Sequence, residues 1–433
     1  MSCDLPNTTF AVIDHGSFLP LARALARHGS RVIYHRPEWE KAFPTFNDAV
    51  IGDGFPEIEW CDDIWKVKSD VDVFVFPDIY HMGLQAELKQ QGYPVWGAQS
   101  GMRLEINRQF FLGTLKDLGL DVPPFEVVVG ISALRDHLKD RKDIFIKVSK
   151  FRGSWETTHW RSWSEDSHRL DLWAVRFGGI RERVKFLCFE KIDTNLEIGC
   201  DTFNIDGQWP ERVLHGIEKK DCAYLSAVTE KSKMPRELTD VMDAFGPLLK
   251  TCDYRASWSM EVRVADSGNF FIDATTRCGL PSTGSQILAM KNLCEVIYHG
   301  ANGELVQPEY EYQFTAECMV KINVEDGSWG TMQIPDELKD HLMVYDCCLV
   351  NGQPWFPSDE KSIEEVGWLV AAADSPVEVA KQMNQLADAL PEGCDAAVES
   401  LADILREIEE EQESGIKFTN QKLPEPEVVL EKS

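Results

Sequence analysis

The run Thr9-Phe10-Ala11-Val12-Ile13-Asp14 is apolar, closes on the turn His15-Gly16-Ser17-Phe18, and leads into a helical pattern over residues 19–28 and a second apolar run, Arg31-Val32-Ile33-Tyr34. A strand, a glycine-bearing turn, a helix and another strand open a doubly wound α/β domain, in which strands buried on both faces are joined by helical crossovers. Residues 71–78 read as a further buried strand and Pro94-Val95-Trp96-Gly97 as a short last one, so residues 1–100 are expected to form a Rossmann-like lobe. Ligands of such sheets sit beyond the carboxyl ends of the strands, which directs attention to the turns at residues 15–18 and 78–81. One glycine is not the three-glycine dinucleotide fingerprint, and this disfavours a nicotinamide oxidoreductase.

At 433 residues the chain exceeds one ordinary core, so two to four lobes are expected, and 43% apolar residues with thirteen Trp fit a well-packed protein. The balance of 44 basic against 72 acidic residues, net −28, opposes nonspecific binding to nucleic acid or to anionic membranes. Any phosphate ligand must then be held by locally placed Lys and Arg. No apolar run is long enough to span a bilayer, and Met1-Ser2-Cys3-Asp4 is unlike a signal peptide. Twelve scattered cysteines without a C-x-x-C pair read as reduced thiols of a cytoplasmic protein.

The chemistry concentrates late in the chain. Trp258-Ser259-Met260-Glu261-Val262-Arg263-Val264, a turn at residues 265–269, and Phe270-Phe271-Ile272-Asp273-Ala274-Thr275-Thr276-Arg277 read as a β-hairpin. Its period of two sets Asp273, Thr275 and Arg277 on one face, and antiparallel pairing can bring Glu261 near. Mg²⁺ takes one or two carboxylates and completes its shell with phosphate and water, so the hairpin is a candidate metal–nucleotide platform; acidic residues facing solvent are the alternative. A loop rich in Gly and Ser follows at residues 277–285 and runs into a helical pattern over 286–291, which suits an anionic substrate.

Upstream, residues 104–111 begin an amphipathic helix that ends near Gly119, Val122-Pro123-Pro124 turns the chain, and residues 125–129 are extended. Asp143-Ile144-Phe145-Ile146-Lys147-Val148 is a strand whose lysine is either an edge residue or an anion ligand, and the next segment offers Lys150, Arg152 and Ser154 to close over phosphates, with no Walker motif. Residues 184–193 form another strand ending in Glu190-Lys191-Ile192-Asp193, and 198–205 alternate up to the Asp206-Gly207 turn. A strand-end backbone that reads an adenine edge, followed by a carboxylate such as Glu197 for ribose hydroxyls, makes a nucleotide pocket; salt bridges explain Glu190 and Glu197 equally. His215-Gly216-Ile217-Glu218-Lys219-Lys220 reads as a polar segment, with Lys219 either a solvated surface lysine or a ligand for an oxyanion. Strands are expected over 314–324, 342–349 and 367–373, a helix over 377–390 started by Ser375-Pro376, an acidic helix over 399–413 and a poorly ordered tail over 414–433.

This order of parts resembles the ATP-grasp superfamily over about residues 1–300 and through most of the chain. The resemblance implies an α/β fold: a Rossmann-like lobe (1–100), a two-lobed α+β ATP-grasp domain (101–304, with a mobile lid near 125–208), a small α/β lobe (305–413) and a flexible tail (414–433). It implies ATP and Mg²⁺ (or Mn²⁺) as cofactors, with Lys147 on the α/β-phosphates, Arg108 where many members carry lysine, Glu190, Lys191, Ile192 and Asp193 at the adenine hinge, and Glu197 at the ribose. Glu261 and Asp273 would hold the metal with Thr275 where asparagine is usual, the pattern E-x-N-x-R reading here Asp273-Ala274-Thr275-Thr276-Arg277. Arg277, with Lys219, would hold a substrate carboxylate or acyl phosphate. Within the superfamily the layout most resembles phosphoribosylamine–glycine ligase, through the stretch from Gly83-Leu84-Gln85 to Val95-Trp96-Gly97-Ala98 and Leu104-Glu105 with Arg108-Gln109-Phe110; the architecture and the ATP site carry over, the purine substrate does not. The implied activity is an ADP-forming carboxylate–amine ligase acting through an acyl phosphate on small-molecule substrates, as a monomer or homodimer. The shorter Asp273 and the weaker ligand Thr275 leave a catalytically degenerate ATP-binding regulatory or scaffold protein as the alternative.

Overall fold

The structure, a computed structural model, describes residues 5, 7–37, 51–148, 157–194, 196–324, 329–357 and 363–425. Its strands are β1 (Thr9–Ile13), β2 (Arg31–His35), β3 (Glu59–Cys61), β4 (Val73–Val75), β5 (Val95–Trp96), β6 (Phe125–Val129), β7 (Ile144–Val148), β8 (Thr157–Trp160), β9 (Lys185–Glu190), β10 (Glu197–Ile205), β11 (Arg212–Lys219), β12 (Ala223–Glu230), β13 (Arg255–Ala265), β14 (Gly268–Thr275), β15 (Phe314–Asn323), β16 (Trp329–Thr331), β17 (Leu342–Val344), β18 (Cys348–Val350), β19 (Gln353–Pro357), β20 (Ile363–Ala373) and β21 (Cys394–Ala396). The chain divides into two compact units, one of Met1–Gly101, Ile198–Met260 and Thr275–Ser433, the other of Met102–Glu197 and Glu261–Ala274. This division runs along different lines from the one expected at residues 100, 304 and 413, since 198–260 and 305–413 both belong to the first unit. The mixed α/β architecture itself is the one the sequence pointed to.

In the first unit a five-stranded parallel sheet has the order β3-β2-β1-β4-β5. The apolar run of β1 is explained by burial on both faces: Phe10 and Val12 join one core cluster, Ala11 and Ile13 another. Helix Leu19–Arg27 turns Leu19, Leu21, Ala22 and Leu25 into the first of these clusters. Successive strands step outward from β1 through β2 to β3, and the order then reverses to β4 on the other side of β1.

An antiparallel sheet of the same unit runs β13-β10-β11-β12-β15-β20-β17, with β21 beside β15. The segment read as polar over residues 215–220 is a correction, because it lies within β11, where His215 is fully buried. Its imidazole finds Glu411 Oε1 3.1 Å away, misaligned for a hydrogen bond, and the ring of Phe418 at 5.1 Å. A polar residue inside a sheet is hidden from pattern reading when a distant helix supplies its partner.

The strand expected over 342–349 is split into β17 and β18 at Asp346, whose φ of 47° breaks the extended backbone. β17 continues the large sheet, while β18 joins β19 and β16 in a small one. Ser375 accepts from the Glu378 backbone N–H and caps helix Pro376–Asp388, as its Ser-Pro start predicts. Helix Glu399–Glu413 is acidic outside and apolar inside, burying Leu401, Ile404, Leu405 and Ile408. Beyond it residues 414–425 are packed where a loose tail was expected: Phe418 and Leu423 are buried, and Gln421 Nε2 donates to the Asp374 carbonyl at 2.9 Å.

The second unit holds a four-stranded antiparallel sheet, β6-β9-β7-β8. Helices Ile131–Leu138 and Trp163–Phe177 share one core with it, built on Leu134, Ile144, Ile146, Trp160, Leu170 and Phe186. Along β7 Ile144, Ile146 and Val148 are buried, and Phe145 and Lys147 lie on the other, partly open face. β7 has neighbours on both sides, so Lys147 is not an edge residue.

The helix expected from residue 104 to near 119 is two helices, Arg103–Ile106 and Arg108–Asp117. They part at Asn107, whose side chain accepts from the Phe110 N–H at 3.2 Å and caps the second, a contribution of about 1 kcal/mol. Among the described residues no helix is long and apolar enough to cross a membrane.

Candidate functional site

The hairpin of β13 and β14 forms as its turn chemistry predicts, with only Asp266 and Ser267 between the strands. Within the second unit its tip is fixed by the Asn269 N–H donating to Asp121 Oδ2 at 2.9 Å, beside Gly268, whose φ of 146° and 2.7 Å clearance to that oxygen leave no room for a Cβ. Thr194 Oγ1 donates to the Val264 carbonyl at 2.6 Å, and the Val264 N–H donates back to Leu196 O at 3.1 Å. Access alternates after Phe271: Ala274, Thr276 and Cys278 are buried, while Asp273, Thr275 and Arg277 are half-buried, the expected single face.

Asp273 is the focus of the second unit. Arg108 sits at the first position of its capped helix, its side chain only 5% exposed, and its Nη1 donates to Asp273 Oδ1 at 2.9 Å and to the Ile272 carbonyl at 3.0 Å. Lys147 Nζ lies 3.9 Å from the other oxygen, Oδ2. Two cations from a helix start and an inner strand thus bracket one carboxylate in a partly desolvated place, where such charges interact more strongly than in water. Phe111 stacks edge-on against Phe271 at 5.1 Å and keeps the helix registered on the hairpin.

Other predicted residues are placed less centrally. Glu261 is half-buried on β13 and Thr275 closes β14. Glu197 pairs with Arg263 Nε at 2.7 Å. Glu190, Lys191 and Asp193 are exposed, and Ile192 is half-buried with its carbonyl accepting from Thr194 N at 2.9 Å. Lys219 pairs with Glu407 at 3.5 Å on the last helix rather than with another predicted residue. Lys150 and Ser154 lie outside the described residues.

Within the first unit the loop after β14 docks on the parallel sheet. The Cys278 N–H donates to the Pro77 carbonyl at 2.9 Å, and Arg277 Nε lies 3.6 Å from Asp78 Oδ1. The turn after β1 is held by Asp14, which accepts from the Gly16 and Phe18 N–H groups at 3.0 Å and from Tyr34 Oη at 2.7 Å, although burial pushes its carboxyl pKa up.

Beneath the 277–285 loop lie two buried carboxyls. Glu317 Oε1 accepts from Ser285 N at 2.6 Å and Ser282 N at 3.1 Å, and Asp201 Oδ2 accepts from Tyr224 Oη at 2.6 Å. Burial raises both pKa values, that of Glu317 to about 7. These two went unnoticed in the sequence; the available signal was an acid inside an apolar strand, Ala316-Glu317-Cys318 and Cys200-Asp201-Thr202.

Among the described residues no three or more His, Cys, Asp and Glu side chains are grouped as a metal site. A metal held at Asp273 and Glu261 would therefore need oxygen ligands from its substrate, the habit of Mg²⁺. Within the second unit Asp273 and Glu261 offer hard carboxylate oxygens, the donor type that ion takes.

No protein-family model matches the sequence, and no curated protein matches it. Solved structures do. Phosphoribosylamine–glycine ligase from Thermotoga maritima aligns at TM-score 0.62 and 14% identity over 90% of this chain and 99% of its own. The biotin carboxylase domain of 2-oxoglutarate carboxylase from Hydrogenobacter thermophilus, solved with MgADP, ADP and bicarbonate, aligns at 0.63 and 14% over 96% and 97%. An L-amino acid ligase from Bacillus licheniformis aligns at 0.59 and 14% over 89% and 98%. Likeness at this identity speaks for the path of the backbone: the chain has the ATP-grasp fold.

Proposed function

We propose that the protein is an ATP-dependent, ADP-forming ligase that joins a small-molecule carboxylate to an amine through an acyl phosphate. The observation that carries this reading is the Arg108–Asp273–Lys147 cluster, a carboxylate with one cation on each oxygen. Binding of a metal–nucleotide would replace both pairings at once, the metal taking the carboxylate and the phosphates taking the freed cations. Support from fold analogy comes from structural neighbours that are ligases and carboxylases, some solved with ADP or an ATP analogue.

Direct attack of an amine on a carboxylate is slow because oxide is the leaving group; ATP with its Mg²⁺ supplies the phosphoryl group that turns this oxygen into phosphate. In this reading Asp273, Glu261 and Thr275 hold the metal, and Lys147 and Arg108 neutralise charge on the phosphates. Lys150 and Ser154, which lie outside the described residues, are further candidates for contacting the phosphates. Residues 190–193 lie at the adenine and Glu197 at the ribose. Arg277 orients the acyl phosphate, and Lys219 is the second candidate for that role.

The test is ADP release on addition of pooled carboxylates and amines to the protein with Mg·ATP. Release that requires one member of each pool is the expected result, and none with any pool would sink the ligase. Arg108 already occupies one Asp273 oxygen, and this favours a second reading, a nucleotide-binding protein without turnover. A rise in melting temperature with Mg·ATP, unaccompanied by ADP under every mixture, would select it.

A further inference from the structure

In the second unit the pairing of β7 with β9 sets several residues of the proposed nucleotide site in register along one face of a sheet. Glu190 stands opposite Ile144, Leu187 opposite Lys147 and Phe186 opposite Val148. Directly paired residues point the same way, and a period of two puts Lys185, Leu187 and Phe189 on the face that carries Lys147. Phe189 and Leu187 are buried, and Lys185, the first residue of β9, is exposed where that row ends.

The direction of the Lys185 side chain is fixed. Its Nζ donates to Gln109 Oε1 at 3.4 Å, which draws the ammonium to the start of helix Arg108–Asp117. The residue before Gln109 is Arg108, which with Lys147 brackets Asp273. Three cations therefore come from one helix start and two adjacent strands. Among the described residues no carboxylate pairs with Lys185, and its partner is a neutral amide. A long bond of that kind at an exposed place is readily exchanged for one to a phosphate oxygen, where both partners are charged.

Order along β9 assigns the phosphate. With residues 190–193 at the adenine and Lys147, opposite Leu187, at the α- and β-phosphates, distance from the base grows from the end of β9 toward its start. Lys185 stands two residues beyond Leu187 in that direction, about 7 Å at the rise of a strand. We infer that Lys185 binds the terminal, γ-phosphate of the nucleotide. This deepens the ligase reading and rests on its placement of the adenine.

The test uses the full chain with no carboxylate or amine substrate present, titrated calorimetrically with Mg·ATP and, separately, with Mg·ADP. Lys185→Met keeps the apolar stem and removes the charge. It should weaken Mg·ATP binding by about tenfold or more and Mg·ADP binding by less than about twofold, at unchanged melting temperature. Lys185→Arg returns a cation to the same place and should recover most of the loss.

An unchanged dissociation constant for Mg·ATP in Lys185→Met overturns the proposal. Equal weakening of Mg·ATP and Mg·ADP overturns the γ-phosphate assignment. Because the readout is binding, a protein that holds Mg·ATP through Lys185 and never forms ADP would keep this inference and sink only the ligase. A wild-type chain that binds neither nucleotide would sink both.

Discussion

The two units solve the problem of placing charge for a ligand in opposite ways. Around Asp273 opposite charges meet, a buried Arg108 at 2.9 Å and a partly open Lys147 at 3.9 Å. Around His81, Asp201 and Glu317 the groups are buried, and desolvation pushes them toward their neutral forms. A paired charge is ready at once but must be exchanged; a buried neutral group costs nothing at rest but must gain or lose a proton to act.

The largest effect should come from removing one side of the charged triad. Lys147→Met is expected to lower ADP formation by about 10²-fold or more, as loss of a preorganised cation at a developing charge does, with little change in melting temperature. Asp273→Asn should lose Mg-dependent nucleotide binding, read by the melting shift on adding Mg·ATP. Wild-type behaviour in both would dismantle the Asp273 site.

Next is the buried acid. Burial raises the folded-state pKa of Glu317 from an ordinary 4.5 to about 7, so its stabilising contribution is full below about pH 4.5 and is lost as pH rises through 7. The loss amounts to roughly 3 kcal/mol, and Glu317→Gln should flatten that part of the stability–pH curve between pH 5 and 8. An unaltered curve in the variant would show that the carboxyl titrates elsewhere.

Arg108→Lys keeps the charge and loses the planar guanidinium whose Nη1 donates to both Ile272 O and Asp273 Oδ1. A fall of about tenfold in apparent ATP affinity is expected, measured by nucleotide titration. The smallest effect belongs to Lys219→Ala, because a half-exposed pair with Glu407 is worth at most about 1 kcal/mol. A loss of activity beyond about tenfold there would restore the acyl-phosphate role read from the sequence.

Much of this was legible one stretch at a time. The opening strand–helix–strand, the hairpin at 258–275 and the lysine on an apolar strand all follow from periodicity and turn chemistry that act over a few residues. Asn107 was legible in principle as a cap but was read through, since a helical pattern continues on both sides of it. His215 was read as part of a polar segment, and its burial was hidden because its neighbours, Glu411 and Phe418, lie far along the chain. The packing of residues 414–425 was hidden for the same reason: Phe418 and Leu423 show no period of their own.

The sequence by itself determined the identity of the elements, the face of β14 that carries Asp273 and Thr275, and the chemistry those side chains and Arg277 can offer, because these depend on local backbone preference and residue type. Tertiary structure alone decided which charges meet and which lose water. It set Arg108 and Lys147 on opposite oxygens of Asp273, brought His15 to His81 across a strand reversal, and buried Glu317 under a loop more than thirty residues before it. Coulombic pairing and desolvation depend on distance in space and access to solvent, and neither is written in the spacing of residues along a chain.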